Sequence, residues 1–233
     1  MKTMVIYTFL LILLSCNKID VPVFIEDEEP KQTLPVSADG DTIYYRDGYT
    51  FSYSEKWEQP KWVFYTLKVS DIECSNGATR KNNFKVDAGV ITGSASLEDY
   101  KGSGYDRGHL KASADESCDQ RQMDETFLMS NMSPQDPSFN RGIWKKLESH
   151  VRDLVYDYDS LQVVTGGNLV GNLNTIGVNK VGIPNYYYKV IYKYKNGVRE
   201  VECYYLPNQK NNDYTDFITG IIELEDVVNI DFP

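Results

Sequence analysis

Histidine is nearly absent from this chain of 233 residues, which contains only two, and cysteine is scarce at four. No Cys/His spacing among them has the pattern of a zinc site. Positive charge is also short, with Lys and Arg numbering 24 against 34 Asp and Glu, a net charge of −10. Broad electrostatic capture of a polyanion needs a basic footprint, so this balance excludes it for the surface as a whole. It leaves room for a local groove drawing on Arg80, Lys81, Lys85, Arg107, Lys111, Arg141, Lys145 and Lys146. No apolar run is long enough to span a bilayer as a helix, which takes about 20 residues. Internal repeats and low-complexity tracts are missing as well.

The longest apolar run has another reading. Lys2 gives a positive start, residues 5–14 are nearly all apolar, and Leu13-Leu14-Ser15 leads into Cys16. That order is an export signal. Its end resembles a lipobox, which makes residues 1–15 a lipoprotein signal peptide and Cys16 the acylated first residue of the mature chain. Its removal takes Lys2 and leaves 218 residues, 23 basic against 34 acidic, within the range of one domain. Residues 16–39 are acidic and contain proline, as in Glu26-Asp27-Glu28-Glu29-Pro30, and read as a solvated tether. The folded domain is expected over 40–233. The expected location is outside the cytoplasm, anchored to a membrane by lipid on the periplasmic or cell-surface side.

With Cys16 set aside, Cys74, Cys118 and Cys203 allow at most one internal bridge and one unpaired thiol. Cys74 and Cys118 lie in polar, loop-like stretches and make the better pair. Cys203 sits in a strand-like run and reads as a small buried residue.

Alternation and turn chemistry predict an α+β domain, mainly antiparallel sheet flanked by helices. Residues 57–69 and 161–165 are rich in strand formers, and Gly166-Gly167 reads as a turn at a strand end. Residues 186–195 and 198–206 flank Asn196-Gly197, the dipeptide of the tight hairpin turn. The main helix is expected over 141–156, where Ile143, Leu147, Val151 and Leu154 form an apolar stripe, and a final helix over 212–222.

Tyr105-Asp106-Arg107-Gly108-His109 is the segment richest in chemistry. It is answered by Asn131-Met132-Ser133-Pro134-Gln135 and then by Phe139-Asn140-Arg141-Gly142 with Glu148. An imidazole titrates near neutral pH and suits a general base. If 105–109 is extended, Arg107 and His109 share one face, so a guanidinium for phosphate and a base for water point into one cleft. His150 lies in the helical stretch and reads as an ordinary helix residue. Asn140, at the helix start, has the chemistry of an N-cap, and Glu148 that of a solvated helix residue. Eight residues of regular helix rise about 12 Å, too far for both side chains to bind one ion directly.

These three ordered blocks resemble the DNA/RNA non-specific endonucleases of the ββα-metal class, over residues 49 to 207. The resemblance implies that His109 is the general base, Asn140 the direct ligand of a magnesium ion, and Glu148 the holder of metal-bound water. Manganese or another hard divalent ion is compatible with the same ligands. It implies that Arg107 and Arg80 face the phosphate, that Asn131 supports the site and orients His109 by hydrogen bonding, and that Asp106 fixes the backbone or an arginine. The implied reaction is hydrolysis of DNA and RNA to 5′-phosphate and 3′-hydroxyl ends. A scaffold of this class kept only to bind a partner, as a catalytically silent surface lipoprotein, is the alternative that the acidic balance favours.

Overall fold

Asn196 and Gly197 both take positive φ, 51° and 77°. This is the backbone that a two-residue hairpin requires, and it matches the twist of the strands on either side. Tyr186–Lys195 and Val198–Pro207 accordingly pair antiparallel along their full ten-residue lengths. The computed structural model describes residues 33–233. This hairpin forms three-sevenths of its sheet together with Ile218–Thr219 at one edge. The order continues through Ser160–Gly167, Gln59–Leu67 and Thr50–Ser54 to Ile43–Tyr45, all antiparallel.

Both faces of the sheet are covered. Val63, Tyr65, Leu67, Leu161, Val163, Tyr187 and Ile191 point to one side, where they pack on Ile143, Trp144, Leu147 and Val151. Trp62, Phe64, Val164, Tyr188, Val190 and Cys203 point to the other and meet Leu224 and Val228 of the helix Ile221–Val228. Period-two alternation thus supplies two apolar layers from each central strand. The architecture is the α+β sheet with flanking helices that the sequence predicts.

Several boundaries differ from the sequence reading. The last helix starts after Gly220 and stops at Asn229, whose left-handed conformation (φ 55°) closes it. Residues 214–217 form only a 3₁₀ turn. Gly166 and Gly167 are not a turn: both lie within the strand Ser160–Gly167. A Cβ on Gly166 would come within 2.4 Å of the Lys61 carbonyl, and one on Gly167 within 2.4 Å of Pro184. Close packing requires glycine there. Val36–Ser37 pairs with Ile230–Asp231, so ordered structure includes residues that composition assigns to the tether. The signal segment, Cys16 and the rest of the tether lie outside the described residues. Cys74 is bridged to Cys118, and Cys203 is a buried free thiol.

Candidate active site

A separate two-stranded ribbon, Asp106–His109 paired with Met132–Gln135, carries the first motif past the covered sheet face. Alternation puts Arg107 and His109 on one face, and both line a cavity of about 630 Å³. Gly108, on the reverse face, has the Gln135 side chain where a Cβ would stand, 2.2 Å away. A side chain at 108 would push the ribbon apart and turn its neighbours out of the cavity.

His109 is only 9% exposed. Its ring stands edge-on to Phe127 at 4.8 Å and lies 5.6 Å from Phe84. Burial, reinforced by the Arg80 and Arg107 cations, pushes its pKa down to about 3. The imidazole is therefore neutral, with a lone pair free to accept a proton, at every pH near neutrality. Nε2 is shut off from solvent with no hydrogen-bond partner, which leaves Nδ1 as the nitrogen able to meet a water.

Two arginines act on this ring, and a third lines the same cavity. Arg107 lies over Phe84 at 4.2 Å, and no described residue accepts a hydrogen bond from its guanidinium. Arg80 lies over Phe127 at 5.1 Å and donates to Ser113 Oγ (2.5 Å) and Asn82 Oδ1 (2.8 Å). Arg152 was not singled out from the sequence. It lines the same cavity and donates to Asp115 at 2.8 Å, while Asp115 also accepts from Tyr65 at 2.9 Å. Its sequence signal is its spacing of four from Glu148, which puts both on one helix face.

Asn140 does not cap a helix. It lies in a π-helical turn, Phe139–Trp144, broken at Gly142 (φ −106°, ψ −106°), before the α-helix Lys145–Leu154. The regular-helix separation of Asn140 and Glu148 therefore does not apply, and both line the cavity. Asn140 Nδ2 donates to Asp106 at 2.9 Å, and Arg141 donates to both oxygens of the same carboxylate at 2.6 and 2.8 Å. Asp106, held below its ordinary pKa by these partners even though burial raises it, is thus committed to Asn140 and Arg141. The Asn140 oxygen is not used by any described residue. Burial pushes the Glu148 carboxyl above its usual range, opposed by the nearby Lys189, Arg152 and Arg80 cations and reinforced by Asp115.

Asn131 is buried and fully bonded, but not to the His109 ring. Its side chain exchanges two hydrogen bonds with the Lys111 backbone at 3.0 Å and donates to the Thr126 carbonyl at 2.8 Å. It fixes the chain just beyond His109, so any orienting effect passes through the backbone. Lys111 does not belong to the groove: it is fully buried and paired with Glu116. Lys81 and Lys146 turn to Asp124 and to the Asn212 carbonyl. His150 bonds Glu202 at 3.2 Å and stacks on Tyr214, away from the cavity. The cavity lining thus has Arg80, Arg107, Arg141, Lys145 and Arg152 against Asp106 and Glu148, a positive concavity in an acidic protein.

Among the described residues no group of three or more His, Cys, Asp or Glu converges as a metal cage. The donors present are an amide oxygen and a carboxylate. They fit a hard divalent ion that keeps most of its own water, and do not fit a metal needing sulfur or several imidazoles.

A strand ribbon presenting a buried histidine, followed by a helical segment presenting an amide oxygen, has the order of the ββα-metal motif on an α+β fold. The family profile of the DNA/RNA non-specific endonucleases matches residues 30–233, and the chain belongs to that family. Human mitochondrial endonuclease G is 33% identical over 175 residues, which cover 70% of this chain and 59% of that protein. A nuclease of a Nostoc strain is 32% identical over 205 residues, 82% of this chain and 72% of that one. The chain thus spans about three-fifths of the length of the human relative that it matches. Among solved structures, the EndoG/EndoGI complex superposes with a TM-score of 0.78 at 32% identity, covering 82% of this chain and 85% of that one.

Proposed function

We propose that this chain is a divalent-metal-dependent endonuclease that hydrolyses phosphodiester bonds of DNA and RNA with little sequence preference. The single observation that supports it most is the meeting, in one positive cavity, of a neutral imidazole with an amide whose oxygen is unclaimed. His109 Nδ1 takes a proton from a water, which attacks phosphorus in line with the leaving 3′ oxygen. Arg107 and Arg80 hold the non-bridging phosphate oxygens and offset the charge that builds on them. Asn140 would hold the ion directly and Glu148 would hold ion-bound water. Magnesium is the proposed ion, and when bound it supplies charge neutralisation at the phosphate and the leaving oxygen. The products are a 5′-phosphate and a 3′-hydroxyl.

Contacts to phosphate carry no base information, which supports low sequence preference. A protein inhibitor that covers the cavity is compatible with this arrangement, since the solved relative is an inhibitor complex. The first sixteen residues support export and lipid anchoring at Cys16.

Purified protein incubated with supercoiled plasmid and with RNA, in magnesium or in chelator, tests the reading. Nicking and linearisation of plasmid and degradation of RNA with magnesium alone are expected. Intact substrates in both tubes would leave the silent, partner-binding alternative.

A further inference from the structure

The segment that carries Arg80 has almost nothing of its own to hold it. Residues 73–83 form no helix or strand, and all but Ala78 are exposed. None of them enters a core cluster, and the first side chain that packs inward is Phe84. Most of its hydrogen bonds run to one neighbour, the stretch 113–120, while Arg80 lies over Phe127, Lys81 approaches Asp124 and Glu73 accepts from Tyr156. The Ala78 amide donates to the Ser117 carbonyl at 2.7 Å, Thr79 exchanges two hydrogen bonds with Gln120, and Arg80 donates to Ser113. Hydrogen bonds open to water hold only weakly. The covalent bond between Cys74 and Cys118 joins the same two stretches.

The neighbour is firmly held. Asp115, 1% exposed, is bonded by Arg152 and Tyr65, and Asp119 caps the helix Gln120–Glu125 through two backbone amides. The disulfide thus ties a weakly fastened loop with a phosphate-facing arginine to a stretch built into the active-site wall. Cys74 is exposed and open to attack by a thiolate.

We propose that the Cys74–Cys118 crosslink positions Arg80, so that a dithiol reductant in solution turns cleavage down. In that step the S–S bond breaks, two electrons and two protons pass from the dithiol to give two cysteine thiols, and the dithiol closes to its own disulfide. The inference rests on the nuclease reading. Loss of the tie leaves the sheet intact and sets the loop free to move, which displaces the Arg80 guanidinium from the phosphate.

The test measures plasmid cleavage with magnesium by the full-length protein, before and after reduction with dithiothreitol, at a temperature where unfolding scans show both forms folded. Reduction should lower kcat/KM roughly ten- to a hundredfold, the cost of a small misplacement at a reacting centre. The double variant Cys74→Ser/Cys118→Ser should show the same loss and no response to reductant. Arg80→Ala decides between positioning and general loosening: reduction should add no further loss in that background. An equal loss in Arg80→Ala, or full wild-type activity after thiol titration finds two further thiols, would overturn the proposal. Failure of the nuclease reading is distinguishable, because it shows in the unreduced wild type as no cleavage at all.

Discussion

The carboxylate of Asp106 faces the amide nitrogen of Asn140 at 2.9 Å. A carboxylate only accepts, so this contact fixes which way the amide points and leaves its oxygen for the cavity. Arg141 occupies the other lone pairs of Asp106.

On the proposed function, Asp106→Ala should therefore act on the metal site by releasing the Asn140 amide. Loss of a group that orients a ligand costs on the order of ten- to a hundredfold in metal affinity. Calorimetric titration of the variant with magnesium and manganese should show this weakening, and excess metal should restore part of the cleavage. An unchanged titration would contradict the role.

On the proposed role, His109→Ala should abolish cleavage while magnesium binding stays close to wild type, and loss of the buried ring should lower the unfolding midpoint. A lost general base costs about 10² to 10⁴ in rate. Single-turnover cleavage beside a metal titration separates the two effects.

The buried imidazole also gives a signature in stability against pH. Its pKa of about 3 in the folded protein lies below the 6.5 of an unperturbed side chain. Between those values the unfolded chain takes up a proton that the folded chain refuses. Stability of the metal-free protein should therefore fall as pH drops through this window, by at most about 1.4 kcal/mol per pH unit from this group. Urea unfolding from pH 7 to 4 should show a shallower slope for His109→Gln than for wild type.

Arg152→Ala leaves Asp115 with Tyr65 as its remaining side-chain partner, in a site that is 1% exposed. Removing one partner of a buried pair costs about 3–5 kcal/mol. Because Arg152 is itself about one-fifth exposed, a loss of about 2–3 kcal/mol is the expected size. Equilibrium denaturation checks it, and kcat/KM should fall as well.

Gly108→Ala adds a Cβ 2.2 Å from the Gln135 side chain. Overpacking of this kind costs about 1–3 kcal/mol. The expected signature is a lower denaturation midpoint with impaired cleavage, both partly recovered in Gly108→Ala/Gln135→Ala. A silent single variant would show that the ribbon yields more easily than its packing implies.

How far the sequence could be read follows from its periods. Strand alternation is reliable over short spans, so Arg107 and His109 could be placed on one face before any coordinates. Carrying the same period two residues further puts Lys111 in the groove, but the paired strand ends at His109 and Lys111 turns inward to Glu116. Helical period located Ile143, Leu147 and Val151. It did not show the break between Asn140 and Glu148, since nothing in Phe139–Trp144 announces a π-turn except a glycine in a helical pattern. Arg152 was open to detection, four residues after Glu148 on the same helix. Gly166-Gly167 was not, because the residues that crowd it, Lys61, Tyr188 and Pro184, come from distant parts of the chain.

The small cationic hollow in an otherwise anionic body also bears on traffic. On the proposed function, a long polyanion is repelled by the acidic body and admitted at one opening, so encounters that park the strand elsewhere are discouraged. Raising ionic strength would then weaken both the repulsion and the hold at the opening, so throughput should pass through a maximum with added salt.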